Sequence, residues 1–76
     1  MREVIYDDEG ITLLKDGSKY YIRYDAGAHQ IAIREDEISE NEAKQVMAGT
    51  AEATQVLFAV QRRLKAASID PYFSNT

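Results

Sequence analysis

The dipeptide Asp16-Gly17 lies between two apolar runs, "ITLLK" at 11–15 and "KYYIRYD" at 19–25, and it constrains the chain more than any other feature. Aspartate-glycine between β-rich runs is a hairpin signal, because a type I′ turn needs positive φ at both central residues. The run after it alternates. Tyr20, Ile22 and Tyr24 fall on one face, and Lys19, Tyr21, Arg23 and Asp25 on the other, the period of a strand with one buried side. Before the hairpin, "EVIYD" at 3–7 is a short β-rich run that ends at Asp7-Asp8-Glu9-Gly10, a turn signal.

The stretch "YDAGAHQIAIRE" at 24–35 reads as a second hairpin. Gly27 supplies the unusual φ of its loop. A fourth strand is predicted at 29–35, with Ile31 and Ile33 on the buried face and His29 at the rim.

The period then changes. Ser39-Glu40-Asn41-Glu42 fits a capping box, with Ile38 and Ala43 placed for a hydrophobic staple. Glu40 and Glu42 suit the first turn of a helix over about 40–48. Gly49-Thr50 interrupts it, with Thr50 able to cap a second helix over about 51–67. Ala53, Val56, Leu57, Val60, Leu64 and Ala67 form one apolar stripe on that second helix. The rival reading is one long helix kinked at Gly49. Ser68-Ile69-Asp70-Pro71 stops the helix and begins a C-terminal tail, 68–76.

These elements predict one small α+β domain over 1–76: an antiparallel meander of three or four strands, then two helices packed on one face. The predicted core is Val4 or Ile5, Ile11, Leu13, Tyr20, Ile22, Tyr24, Ile31, Ile33, Val46, Leu57, Val60 and Leu64.

Composition narrows the chemistry. The chain has 76 residues, no cysteine and a single histidine. Thiolate catalysis and the usual zinc ligand sets are therefore excluded. His29 as a general base would need a partner, for which Asp25 across the turn is available, and a nucleophile. The turn-flanking, non-catalytic role is the one adopted. The carboxylates Asp7, Asp8, Glu9, Glu35, Asp36 and Glu37 lack the spacing of a calcium loop, and they read as solvated turn and helix-start charges. No metal and no cofactor are expected.

No apolar run is long enough to span a bilayer, and Met1-Arg2-Glu3-Val4 lacks the apolar core of a signal peptide, so a cytoplasmic protein is expected. The net charge is −4. It disfavours phosphate backbones, so nucleic acid is not the expected partner. The charge is nonetheless polarised. Residues 34–42 carry one positive and five negative side chains, whereas 43–67 carry four positive and one negative.

The surplus aromatics are the most informative functional signal. Tyr21 lies opposite the core parity, Phe58 lies off the main stripe of the second helix, and Tyr72 and Phe73 come after that helix. Exposed aromatics grouped on a small domain point to an interaction surface. The expected function is a small acidic protein-binding module, an adaptor, inhibitor or regulator without catalytic activity. Tyr21, Phe58, Tyr72 and Phe73 would contact a protein partner or a second copy in a homodimer. The alternative is a nucleic-acid-associated accessory protein that uses Arg62, Arg63 and Lys65.

Overall fold

The computed structural model describes residues 1–8, 10–27 and 30–75. Four strands precede two helices: β1 (Glu3–Asp8), β2 (Ile11–Asp16), β3 (Lys19–Asp25), β4 (Ile33–Ile38), α1 (Glu40–Ala48) and α2 (Thr50–Ala66). The strands form one antiparallel sheet in the order β1-β2-β3-β4, an α+β meander. Its core joins Leu13, Ile22, Tyr24 and Ile38 of the sheet to Ala43, Val46, Ala53, Val56 and Val60 of the helices. Ile11, Tyr20, Leu57 and Leu64 pack half-buried around it.

The β2–β3 turn differs in detail from the expected one. Asp16 pairs with Lys19, so the two-residue loop is Gly17-Ser18. Gly17 has φ 62° while Ser18 keeps negative φ. That is the pattern of a type II′ turn, which places glycine first and needs positive φ only there.

Two edges of the predicted core move. Val4 and Ile5 are exposed. The register shifts between Val4, opposite Leu14, and Tyr6, opposite Leu13, so Ile5 is the extra residue of a β-bulge. A bulge reverses the facing of the residues beyond it, and Tyr6 takes the inward place instead. The fourth strand starts at Ile33 rather than at residue 29, and Ile31 is 79% exposed in the preceding loop. The phase of β4 is also reversed. Arg34 pairs with Tyr24, Asp36 with Ile22 and Ile38 with Tyr20, so these three face the helices, while Ile33 faces away opposite Asp25.

The loop before β4 is built by Asp25. Its carboxylate accepts the Gly27 N–H (2.9 Å) and the Ala32 N–H (3.0 Å), and Ala26 N–H donates to the Ala32 carbonyl (2.9 Å). Gly27 does not have positive φ. It is required for space, because a Cβ there would sit 1.7 Å from the Gln30 carbonyl oxygen. His29, and with it the Asp25–His29 pairing, lies outside the described residues.

The two-helix reading holds. Ser39 caps α1 in a complete capping box: its Oγ accepts the Glu42 N–H (3.1 Å), and Glu42 Oε1 accepts the Ser39 N–H (2.9 Å). Ile38 and Ala43, the staple pair, are both buried. Gly49 separates the helices, and α2 starts at Thr50 without the side-chain cap expected from that threonine. Arg63 pairs with Glu42 (3.0 Å) and Gln45 with Gln55 (3.2 Å), which fixes α2 running back along α1.

Ser39→Ala should lower stability by about 1 kcal/mol, read from the denaturant midpoint at unchanged slope. Gly27→Ala should cost about 2 kcal/mol, because the new methyl meets backbone rather than a side chain that can move. A neutral result at residue 27 would remove the close-approach argument.

Candidate interaction surface

The four aromatics singled out in the sequence do not form one group. Tyr21 belongs to the sheet face turned away from the helices, opposite Leu14 and Glu37. It is half-buried there, with the Arg2 guanidinium 3.9 Å above its ring. Arg2 and Arg23 both pair with Glu35. Leu14, opposite Tyr21 on the same face, is 3% exposed. Tyr21 is thus part of the covering of this face.

Phe58, Tyr72 and Phe73 are exposed, by 59%, 52% and 68%. A shallow cleft is lined by Phe58, Gln61, Arg62, Lys65 and Tyr72. A neighbouring cleft is lined by Gly27, Gln30, Ile31, Ala32, Tyr72, Phe73 and Ser74. Tyr72 lies in both, so Phe58, Tyr72, Phe73 and Ile31 form one apolar ridge. Sequence reasoning missed Ile31 because it placed that residue in β4. The alternation of Ile31 with Ile33 fits a strand, and nothing local marks where that strand begins.

The basic residues divide. Arg63 is committed to Glu42 of α1. Arg62 and Lys65 line the Phe58 cleft, and the Lys65 ammonium lies 5.7 Å from the centre of the Tyr72 ring. Arg62 makes no ion pair among the described residues. The surface therefore presents aromatic rings beside two cations on a chain of net charge −4.

The ridge is held in place by a polar cluster behind it. Arg34, 4% exposed, donates through Nε and Nη2 to the two oxygens of Asp36 (3.1 and 2.9 Å), and through Nη1 to the Phe73 carbonyl (2.8 Å). The Tyr24 hydroxyl donates to Asp36 Oδ2 (3.3 Å). Burial, and then the Asp36 charge, push the Tyr24 hydroxyl up to about 12, while the hydrogen bonds to Asp36 hold Arg34 above its ordinary value. Elsewhere, the Ala32 and Gly27 N–H groups hold Asp25 below the usual carboxylate range. For Glu42 burial works upward but is outweighed by the Ser39 N–H and Arg63, so its pKa is lowered.

Among the described residues, no group of three or more His, Asp or Glu side chains could hold a metal ion, and no helix is long and apolar enough to cross a membrane. Comparison of the chain with protein families, with characterised proteins and with solved structures finds no match.

A raised tyrosine pKa means that the folded state holds its proton more tightly than the unfolded chain does. The stability this contributes is complete below about pH 10 and is lost as pH rises toward 12. Ultraviolet titration should show one tyrosine ionising near pH 12, and Tyr24→Phe should remove it and flatten the alkaline loss of stability. A Tyr24→Phe titration identical to that of the parent would refute the assignment.

Proposed function

We propose that the chain is a non-catalytic protein-binding module whose contact surface is the ridge Phe58–Tyr72–Phe73–Ile31, with Arg62 and Lys65 along its side. The observation that carries this reading is the position of Tyr72 in both clefts, which joins exposed apolar groups from α2, the segment after it and the residues just before β4. Burying one such ring is worth about 1.5–3 kcal/mol. A ridge of this kind suits the apolar centre of an interface, and Arg62 and Lys65 would favour an acidic partner at its rim. The side chains with shifted pKa values support a non-enzymatic role. Tyr24, Asp25, Arg34 and Glu42 are each engaged through their side chains in hydrogen bonds that hold one segment to another.

The alternative is binding of single-stranded nucleic acid. Phe58 and Tyr72 beside Arg62 and Lys65 combine rings for base stacking with cations for the backbone. Two cations on a chain of net charge −4 make a small electrostatic footprint, which favours the protein partner.

The double variant Phe58→Ser/Tyr72→Ser tests the reading. Both rings are more than half exposed, so thermal stability should change little, by about 0.5 kcal/mol. Association with another protein should weaken at least about tenfold in affinity capture. Capture of the same protein partner at parental strength by the double variant would overturn the ridge. Salt-sensitive binding of a single-stranded oligonucleotide, lost in Arg62→Ala/Lys65→Ala, would establish the alternative instead.

A further inference from the structure

The segment after α2 folds back and docks on β4. α2 ends in a Schellman arrangement: Ser68 N–H donates to Lys65 O (3.0 Å) and Ile69 N–H to Leu64 O (2.8 Å). Ser68 stands at the position usually given to glycine, with φ 61°, and is the one non-glycine residue with positive φ among the described residues. Pro71 is buried. Three successive residues then hold the outer side of β4, an edge strand. The Phe73 carbonyl accepts from Arg34, and Ser74 Oγ donates to Ile33 O (2.7 Å). The Asn75 side chain accepts the Glu35 N–H (2.8 Å) and donates to the Glu35 carbonyl (2.9 Å), as a neighbouring strand would.

The receiving site is built. Arg34 is buried, and one of its donors is aimed at this segment. The segment itself is lightly anchored, since Pro71 is its one buried side chain, the Tyr72 and Phe73 rings are mostly in solvent and its holds on β4 are polar. A bare β4 edge would offer unpaired backbone groups to another chain.

We propose that residues 70–75 are an exchangeable clasp, and that the β4 edge with Arg34 takes the same segment from a second copy to form a clasp-exchanged homodimer. The occupant is specified by chemistry already present, a carbonyl for Arg34 and then the serine and asparagine side chains. Reciprocal exchange remakes every clasp contact between copies, and opening at Ser68 releases a backbone conformation unfavourable to a residue with a Cβ. This inference does not rest on the ridge as a partner-binding surface.

The test is sedimentation of the full chain over a wide concentration range after refolding. Ser68→Pro cannot adopt positive φ and should dimerise at about tenfold lower concentration than the parent, whereas Ser68→Gly should stay monomeric to about tenfold higher concentration. Phe58→Ser should leave both results unchanged, which separates this dimer from one formed through the ridge, and Asn75→Ala should weaken it. A folded Ser68→Pro chain that stays monomeric overturns the proposal, as does a dimer lost in Phe58→Ser but kept in Asn75→Ala. Hydrogen exchange of the parent decides the matter if Ser68→Pro does not fold. The Glu35 amide, whose acceptor is Asn75, should exchange at least about tenfold faster than the amides of Leu14 and Tyr21, a hydrogen-bonded pair between the two central strands. Equal protection would mean that the segment leaves only on global unfolding, and would overturn the exchange.

Discussion

A guanidinium turned inward is the constraint on which the rest of this structure depends. Arg34 faces the helices from β4 and is nearly fully buried. An unpaired charge in that position would be prohibitive, and a paired one is tolerated only with good geometry and its remaining donors satisfied. Asp36, two residues along the same strand and so on the same face, supplies both oxygens, and the Phe73 carbonyl supplies the next acceptor. This pairing has three consequences. β4 is fixed in the phase that turns Ile33 outward, Tyr24 acquires an anionic neighbour that keeps its hydroxyl protonated, and the segment after α2 is drawn onto the sheet edge. Removing one partner would strand a buried charge, which costs far more than the pair contributes.

A chain this short has few elements with which to cover a four-stranded sheet. The two helices close one face. The other is closed by long polar side chains: Arg2 lies over Tyr21 and, with Arg23, binds Glu35. The alkyl stems of arginine cover apolar surface while their heads remain in water, and Leu14, opposite Tyr21 on this face, is buried. Several apolar side chains are left without cover by this arrangement, among them Val4, beside the bulge on the open face, and Phe58, beside the α2 stripe.

The parts of the fold set by local rules were legible in the residues. Ser39 and Glu42 specify a capping box through their own side chains, the α2 stripe has an unambiguous period, and Tyr20, Ile22 and Tyr24 alternate cleanly in β3. The illegible parts depend on partners distant in sequence. The bulge at Ile5 flips a strand whose own alternation gives no sign of it. The reversed phase of β4 comes from Arg34 and Asp36 neutralising each other, so a segment that looks outward by polarity is inward by pairing. The ridge was half legible. Phe58, Tyr72 and Phe73 stood out as surplus aromatics, but Tyr21 was indistinguishable from them without Arg2, and Ile31 looked like a core residue until the start of β4 was fixed.

The clasp and the ridge are physically coupled. Tyr72 and Phe73 stand beside Phe58 and Ile31 because Arg34 holds the Phe73 carbonyl, so a ligand seated across the ridge favours clasped forms over open ones. By reciprocity, whatever tightens the clasp tightens that ligand by the same factor. The coupling has a limit. In a clasp-exchanged dimer the ridge is rebuilt with Phe58 and Ile31 from one copy and Tyr72 and Phe73 from the other, and its chemistry is unchanged. A ligand that meets the same surface in two states shifts nothing between them, however tightly it binds. Ridge binding would therefore suppress the open state without choosing between monomer and dimer. That choice falls to protein concentration and to Ser68, whose φ of 61° is the conformational cost carried by the closed monomer.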